Sequence, residues 1–472
     1  MTLLERPQPF RLDPRVRERA MTLAIYQGFL ATCGAWMVGG TFLNYFAMEL
    51  GATGTLMGVV LAVPNIASLL RIVAPYFVNR SDNRKAVWLG AVLVARLAAV
   101  GCPLLAFPQF RPAGIEPLHL LILVLCVTTI ANAIAEVAWL SWFADVVPEG
   151  IWGRYFGRRN FFNSSAILVV PLIGGGALDA YTSRHPEAKL AAYATIFGLG
   201  ILFHLMAVVP LLFVPNVKLR ERRREVPLWH EILTPFRDPN FRRYALFYGW
   251  LMLGSGIPHA AFQLYQKNAL GLGLMVVGSF QTVNRIFDMI GQRWSGRLTD
   301  RFGNKPIVIL GLIGAATGPF FWIPTQPGNY WLIYISYVVW GLGWAGVGLG
   351  TQNLMLKISP RGNNVAYIAA TQALGGISLS VFQIVGGLAL DALLATGFRL
   401  EIGLATLNAY HLFFLLSFLG RSSAALWVFR VTEPGCRSIG HMLRALRRAR
   451  GVRARRLARG RPATARHPAP RA

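Results

Sequence analysis

Charged residues are scarce in this chain. Lysine, arginine, aspartate and glutamate together make up 14% of its 472 residues, whereas 54% of the residues are hydrophobic. A typical soluble domain contains about 25% charged residues. The composition therefore argues against a soluble enzyme, and the same hydrophobic content excludes an intrinsically disordered protein.

Cysteine and the sequence signatures of common enzymes are also lacking. The chain has four cysteines, with no Cys-x-x-Cys pair and no metal-ligand spacing among them. It has no Walker A motif and no His-Glu-x-x-His motif. A Ser-His-Asp signal is missing as well. We therefore expect no enzyme activity, no cofactor and no metal site.

The hydrophobic residues are gathered into long runs. A membrane-spanning helix needs about 20 mostly apolar residues, and twelve segments of the chain meet that requirement. The twelve segments are 21–47, 54–78, 86–107, 117–144, 159–181, 190–214, 243–266, 274–296, 306–325, 329–356, 364–394 and 403–429. The sequence thus predicts an all-α integral membrane protein with twelve transmembrane helices.

Basic residues outnumber acidic residues by 47 to 20, and they are spread unevenly among the loops. Twelve spans place both termini on one side of the membrane, and 38 of the 47 basic residues lie on that side. The opposite loops contain five basic residues. Because cytoplasmic loops are rich in lysine and arginine, we expect both termini in the cytoplasm, in a multi-pass protein of the bacterial inner membrane.

The segment 430–472 is rich in arginine and contains no aromatic residue. Nucleic-acid binding would favour aromatic side chains placed among the basic ones for stacking on bases. We therefore expect the segment to be a cytoplasmic tail that lies near anionic membrane lipids, with no nucleic acid as a partner.

The chain contains an internal repeat. At a constant offset of 212 residues, Pro148 matches Pro360, and Tyr155 matches Tyr367. The repeat also matches Gly174-Gly175 to Gly386-Gly387 and Leu178-Asp179-Ala180 to Leu390-Asp391-Ala392. Many transporters are built from two such related halves around a site at the middle of the membrane. The repeat predicts two pseudo-symmetric bundles of six helices.

The segment GRLTDRFGNK, residues 296–305, resembles the loop motif G-x-x-x-D-R-x-G-[RK]-[RK] of the major facilitator superfamily. Asn304 departs from that motif, and in the corresponding loop of the first half Asn79 stands in place of the acidic residue. The residues that match the motif are Gly296, Asp300, Arg301, Gly303 and Lys305.

The resemblance implies a twelve-helix transporter of bacterial type, without indicating its subfamily. Its bundles are expected at 21–214 and 243–429, joined by a basic linker at 215–242, with tails at 1–20 and 430–472. The implied function is secondary active transport of a small solute by alternating access, by a monomer, with protons as a candidate coupling ion. The alternative is a protein of the same fold that does not transport and serves as a sensor or assembly factor.

In the superfamily, the motif loop holds the cytoplasmic side closed. By pseudo-symmetry, we expect Asp300 to contact the start of the fifth span, where three arginines are clustered. Those arginines are Arg154, Arg158 and Arg159. The alternative is a basic loop that serves only to set the topology of the chain.

Charged residues inside membrane spans are costly and are candidates for a functional site. In the eighth span, Gln281, Arg285, Asp288 and Gln292 share one helical face. That face either lines a cavity for a polar or anionic solute, or forms an ion pair that holds helices together.

Two other spans carry candidate residues. In the fourth span, Asn132, Glu136 and Trp139 share a face, and Glu136 either carries a proton or pairs with Arg71 or Arg96. In the seventh span, His259 and Gln263 share a face, as a part of the cavity or as satisfied polar groups within the bundle.

Overall fold

A computed structural model describes most of the chain. The described residues are 13–71, 74, 78, 81, 83–148, 151–216, 233–360, 364–402, 405–436, 439–442 and 444. Asn79, most of the predicted linker 215–242 and the greater part of the tail 430–472 lie outside the described residues.

The first half contains six spans. The spans at 14–49 and 84–104 each consist of two helices that follow one another directly. The α-helices of this half are Pro14–Val38, Gly40–Glu49, Gly54–Ser68, Arg84–Ala99, Gly101–Leu104, Pro117–Val146, Trp152–Arg184 and Lys189–Leu212. Short 3-10 helices lie at Pro108–Phe110 and Pro186–Ala188.

The second half also contains six spans, with a 3-10 helix at Thr234–Arg237 before the first of them. The seventh span of the chain is Pro239–Gly256 followed by His259–Leu264, which continues as a π-helix at Tyr265–Ala269. The remaining spans are Leu274–Phe302, Asn304–Thr317 with a 3-10 turn Gly318–Trp322, Trp331–Ile358, Asn364–Ala395 and Ala409–Arg430.

Nine of the helices in the described part of the chain are long and apolar enough to cross a membrane. The other three spans, the second, seventh and eighth, are not among those nine. In the second span the described helix covers only Gly54–Ser68, because several of the residues that follow lie outside the described part of the chain. The seventh span is interrupted at Ile257-Pro258, and the eighth carries several polar residues. A proline lacks the N–H group that helix hydrogen bonding requires, which accounts for the interruption.

Several predicted boundaries differ from the structure. The first span begins at Pro14 rather than at residue 21, because Asp13 caps the helix by accepting a hydrogen bond from the Arg15 amide at 2.8 Å. The twelfth span begins at Ala409 rather than at residue 403. The preceding residues instead form a hairpin, in which strand β1 (Arg399–Ile402) pairs antiparallel with strand β2 (Ala405–Asn408).

The two halves contact each other mainly through two pairs of antiparallel helices. The second span packs on the eleventh, and the fifth packs on the eighth. We call the side of the bundle at which Pro14 and Arg430 lie the terminal side, and the other side the distal side. A buried aromatic core lies toward the distal side and includes residues of both halves, among them Phe46, Phe262 and Trp322.

Candidate functional site

Asp391, at the distal end of the eleventh span, caps a helix of the other half. Its Oδ1 accepts a hydrogen bond from the Gly54 amide at 2.6 Å. Its Oδ2 accepts bonds from the amide and the hydroxyl of Thr55, at 2.7 Å and 2.6 Å. These amides belong to the first turn of the second span, where the helix dipole favours a negative charge.

Asp179 makes the same contact at the other interface between the halves. It lies at the distal end of the fifth span, and it accepts hydrogen bonds from the amides of Leu274 and Met275 at 3.0 Å and 2.7 Å. Those amides open the eighth span. Each half therefore supplies one carboxylate that satisfies the unpaired amides of a helix in the opposite half.

Glycines allow these capped helices to approach closely. A Cβ built on Gly175 would lie 2.8 Å from the backbone carbon of Leu274, and one built on Gly387 would collide with the carbonyl of Gly54. Gly175 precedes Asp179 by four residues, and Gly387 precedes Asp391 by the same spacing. Each glycine and its aspartate thus share one helical face toward the partner helix.

Further polar contacts join the halves on the distal side. Lys267 of the seventh span forms an ion pair with Glu49 of the first span at 2.8 Å, and Lys189 pairs with the same carboxylate at 2.6 Å. The Tyr45 hydroxyl donates a hydrogen bond to the Leu272 carbonyl at 3.0 Å. The distal side is thereby closed by capped helices and by an ion pair between the halves.

The first half contains a cavity of about 560 Å³ between its helices. Asn132 and Glu136 of the fourth span line this cavity, as does Arg159 of the fifth span. Glu136 forms an ion pair with Arg71 at 2.7 Å, and both side chains are about half exposed. Trp139 is buried beneath the Arg159 guanidinium, which lies 4.2 Å from the centre of its ring.

The second half contains a cavity of about 350 Å³, lined by His259 and Gln263. His259 Nδ1 lies 2.7 Å from the side-chain amide of Gln383, and the Gln263 carbonyl oxygen accepts a hydrogen bond from Asn44 of the first half at 3.3 Å. Both residues therefore have polar partners. Arg421 lines the same cavity and donates to the Ala315 carbonyl at 3.0 Å.

The polar face of the eighth span reaches the other half at two points. Gln281 donates a hydrogen bond to the Thr41 hydroxyl, and Arg285 donates to the Ser164 hydroxyl at 3.0 Å. Asp288 pairs with Arg285 at 2.8 Å and accepts a bond from Gln292 at 3.0 Å. The Arg285–Asp288 ion pair is thus internal to the eighth span, and Arg285 also links the two halves through its hydrogen bond to Ser164.

The motif loop at 296–305 is organised by a residue that lies outside it. Glu433, whose side chain is fully buried, accepts hydrogen bonds from the Asn304 amide at 3.0 Å and the Lys305 amide at 2.8 Å. It also pairs with Lys357 at 2.9 Å. Gly303 enters the ninth span with a φ of 94°, a backbone conformation that glycine adopts without strain.

Burial alone would raise the pKa of the Glu433 carboxyl. The hydrogen bonds from the Asn304 and Lys305 amides and the charge of Lys357 outweigh that effect, so the pKa of Glu433 is lower than its usual value. Glu433 therefore stands as a charged cap on the ninth span.

Asp300 and Arg301 of the motif loop are both exposed. Within the part of the chain that the structure describes, Asp300 forms no hydrogen bond or ion pair. Arg154 and Arg158 are likewise exposed, and Arg159 lines the cavity instead. The predicted contact belongs to a state closed on the terminal side, whereas this structure is closed on the distal side. It remains a prediction.

A sequence model described as Major Facilitator Superfamily matches residues 25–383 of the chain. The chain belongs to this superfamily. Its fold, the twelve-helix architecture of two six-helix bundles, confirms the expectation from the repeat and the motif loop. It is accordingly a multi-pass membrane protein of a transporter family, and it is not an enzyme.

Solved structures of transporters share the fold at low sequence identity. A variant of the nucleoside transporter NupG is 13% identical with a TM-score of 0.67, covering 88% of this chain and 100% of that chain. A D-xylose-proton symporter is 14% identical with a TM-score of 0.63, covering 88% and 98%. A bacterial homologue of the iron transporter ferroportin, in an inward-facing state, is 12% identical with a TM-score of 0.64, covering 89% and 99%.

One curated relative matches over a short stretch. The tetracycline resistance protein, class H, of Pasteurella multocida is 29% identical over 93 residues. That stretch is 20% of this chain and 22% of the relative's length.

Three acidic residues that cap helices in this superfamily member were not predicted from the sequence: Asp179, Asp391 and Glu433. The capping roles of Asp179 and Asp391 were signalled by their match across the repeat, but their partners lie far away in the chain. Glu433 had no signal apart from being an isolated acid before an arginine-rich tail.

Proposed function

We propose that the chain moves a small solute across the membrane by alternating access. The observation that carries the proposal is the pair of interfaces capped by Asp179 and Asp391, which close the distal side while polar cavities lie between the helices of each half. Both caps are reversible, because water can replace a carboxylate as the partner of exposed helix amides. Breaking both caps together would open the distal side, and closure of the terminal side would complete the cycle.

The internal repeat places equivalent contacts at the two interfaces that separate in this cycle. Asp179 and Asp391 are equivalent residues, so each half contributes the same group to the closed distal side. A motion of one bundle against the other then separates both capped pairs at once. The two bundles, within 21–214 and 243–429, act as the moving bodies, and the linker 215–242 connects them.

The proposed binding residues lie between the halves and in both cavities. They are Asn132, Glu136, Trp139, His259, Gln263, Gln281, Arg285 and Asp288. Protons are the proposed coupling ion, and Glu136 is the proposed carrier. The carboxylate is paired with Arg71 at 2.7 Å, and separation of this pair during the cycle would leave Glu136 without its partner.

We also propose the orientation of the chain. Both termini face the cytoplasm of a bacterium, the protein works as a monomer, and its basic terminal side contacts anionic lipid. A cysteine placed at position 111 or 184 should then react with an impermeant reagent from outside the cell. A cysteine at position 222 should react only after permeabilisation.

The test of transport is a solute screen on purified full-length protein in liposomes that contain a pH-sensitive dye. The proposal predicts saturable uptake of at least one solute, accompanied by proton movement and abolished by a protonophore. Binding of a solute without any flux would contradict the proposal and favour a sensor of the same fold. Uptake that is unaffected by the protonophore would overturn proton coupling alone.

A further inference from the structure

The cavity of the first half is lined by two arginines that form no ion pair with any described residue. Arg96 of the third span and Arg159 of the fifth span both line it. Among the described residues, Arg96 has neither a hydrogen-bond acceptor nor an ion-pair partner, and its Nε atom is buried. A buried guanidinium without an acceptor is unfavourable, because it has lost its hydration without replacement.

Arg159 is held firmly in place but forms no ion pair among the described residues. Its guanidinium lies over Trp139, and its Nε atom is buried without an acceptor in the described part of the chain. A Cβ built on Gly28 of the first span would lie 2.9 Å from that Nε atom. The arginine is therefore packed between a tryptophan ring and a glycine, an arrangement that positions a charged group for a ligand.

A third polar group in this cavity also lacks a partner. His204 of the sixth span is 6% exposed, and its Nδ1 atom has no hydrogen-bond partner among the described residues. It lines the same cavity as Arg96 and Arg159. Three nitrogen-bearing side chains from three different spans thus surround one space.

The acidic residue of this cavity is in contact with neither of the two arginines, although its charge acts on Arg159 at longer range. The Glu136 carboxylate lies 2.7 Å from Arg71, and it forms no ion pair with Arg96 or Arg159. The Arg71–Glu136 pair has no net charge, which leaves two positive charges in the cavity. The contrast is Arg285 of the eighth span, which has Asp288 as its partner at 2.8 Å.

We propose that this cavity binds the oxyanion group of a small organic solute, a carboxylate or a phosphate ester. Guanidinium groups bind such oxyanions through paired, charge-assisted hydrogen bonds. The space of about 560 Å³ also has apolar walls, including Trp36, Leu43 and Leu125, which fit a small apolar or aromatic body. The inference rests on the proposed function, because it names the class of solute that the transporter carries.

The test uses four probes that share an aromatic ring and differ in charge: benzoate, phenyl phosphate, benzamide and benzylamine. Binding to detergent-solubilised full-length protein is measured by isothermal titration calorimetry and by the shift in melting temperature. The inference predicts that benzoate, phenyl phosphate or both bind measurably and stabilise the protein. Neutral benzamide and cationic benzylamine should bind at least about tenfold more weakly than the better anion.

Variants then locate the site. Arg96→Gln and Arg159→Gln should each weaken binding of the better anion about tenfold, whereas Arg96→Lys and Arg159→Lys should retain part of it. The matched control is Arg184→Gln, at an exposed helix end on the distal side, which should bind as the unaltered protein does. If a variant fails to fold, the comparison of anionic, neutral and cationic probes on the unaltered protein still tests whether the site prefers anions.

Equal binding of benzoate, phenyl phosphate and benzamide to the unaltered protein would overturn the inference, as would anion binding that neither glutamine variant weakens. These outcomes are separate from the test of transport. Anion binding without flux would support the anion site and contradict the proposed function. Uptake of neutral or cationic solutes only would support the proposed function and contradict the site.

Discussion

Asp179 and Asp391 occupy equivalent positions in the two halves of the chain, and each caps the first turn of a helix in the opposite half. Asp391 accepts hydrogen bonds from two amides and a hydroxyl of the second span, and Asp179 accepts hydrogen bonds from two amides of the eighth span. A carboxylate that accepts hydrogen bonds from the free amides of a helix N-terminus stabilises the packing of the two helices without the need for a cationic side chain. The symmetry of the chain thus appears directly in the contacts that close its distal side.

Removing the charge of both caps should favour opening of the distal side. Loss of a helix cap costs about 0.5–2 kcal/mol, so Asp179→Asn with Asp391→Asn should shift the balance between the states by roughly tenfold or more. Labelling of a cysteine at position 263 by an impermeant maleimide, applied from the distal side, measures the shift. Glu187→Gln is the control, because this exposed residue pairs with its neighbour His185 and not with a helix of the other half among the described residues. Equal labelling of the double variant and the control would contradict the role of the caps.

Close helix packing should be as necessary for distal closure as the caps. In Gly387→Ala, the new methyl group would meet the carbonyl of Gly54, so the second and eleventh spans could not pack as they do. We expect increased distal labelling at position 263 and slower uptake. Gly198→Ala is the matched control, because a Cβ there has no atom within 4 Å. A Gly387→Ala protein that melts normally and transports at the usual rate would contradict this prediction.

Glu433 should stabilise the fold in a manner that depends on pH. Since its pKa is lower in the folded protein than in the unfolded chain, its contribution is fully present above the unfolded value of about 4.3. The contribution is lost as the pH falls through the lower, folded pKa. Melting temperatures of the unaltered protein and of Glu433→Gln at pH 7 and below pH 4 measure the effect.

The two proteins should differ most at pH 7 and should converge in acid. Glu433→Ala, which leaves Lys357 and the amides of the ninth span without their partner, should lose about 3 kcal/mol of stability at pH 7. A constant difference in melting temperature across this pH range would show that the charge of Glu433 is not what stabilises the loop.

The pair formed by Glu136 and Arg71 should distinguish proton coupling from a structural role. If Glu136 carries the proton, Glu136→Gln should abolish uphill uptake driven by a proton gradient and retain exchange of solute across the membrane. If it only neutralises Arg71, the variant should be poorly folded or inactive in both assays. Full uphill uptake by Glu136→Gln would exclude both roles.

The spans were readable from the sequence because each is a long apolar run, and the symmetry was readable because glycine and aspartate recur at one offset. Contacts between distant residues were not readable. Asp391 forms hydrogen bonds with residues more than 300 positions away in the chain. The sequence around Gly54 and Thr55 contains no pattern that indicates an acidic partner. Hydropathy also did not indicate the interruption of the seventh span at Pro258 or the hairpin at 399–408. Both depend on backbone hydrogen bonding, which the hydrophobic pattern does not describe.

The loop of the superfamily motif illustrates the same limit. Its glycine and its basic residues were recognisable, and Asp300 was the natural candidate for a partner. In the structure, the buried acid that binds this loop is Glu433, which follows the twelfth span. Chain topology, rather than the sequence of the motif, brings the two together.

The most direct test of the account measures both sides of the bundle in one protein. Spin labels at positions 184 and 396 report the distal separation of the halves, and labels at 154 and 301 report the terminal separation, in a background without the native cysteines. All four positions are exposed. We predict a short distal distance in the unaltered protein. In Asp179→Asn with Asp391→Asn, we predict a longer distal distance together with a shorter terminal distance. Distances that stay fixed in the double variant, or that lengthen on both sides together, would contradict alternating access controlled by the two caps.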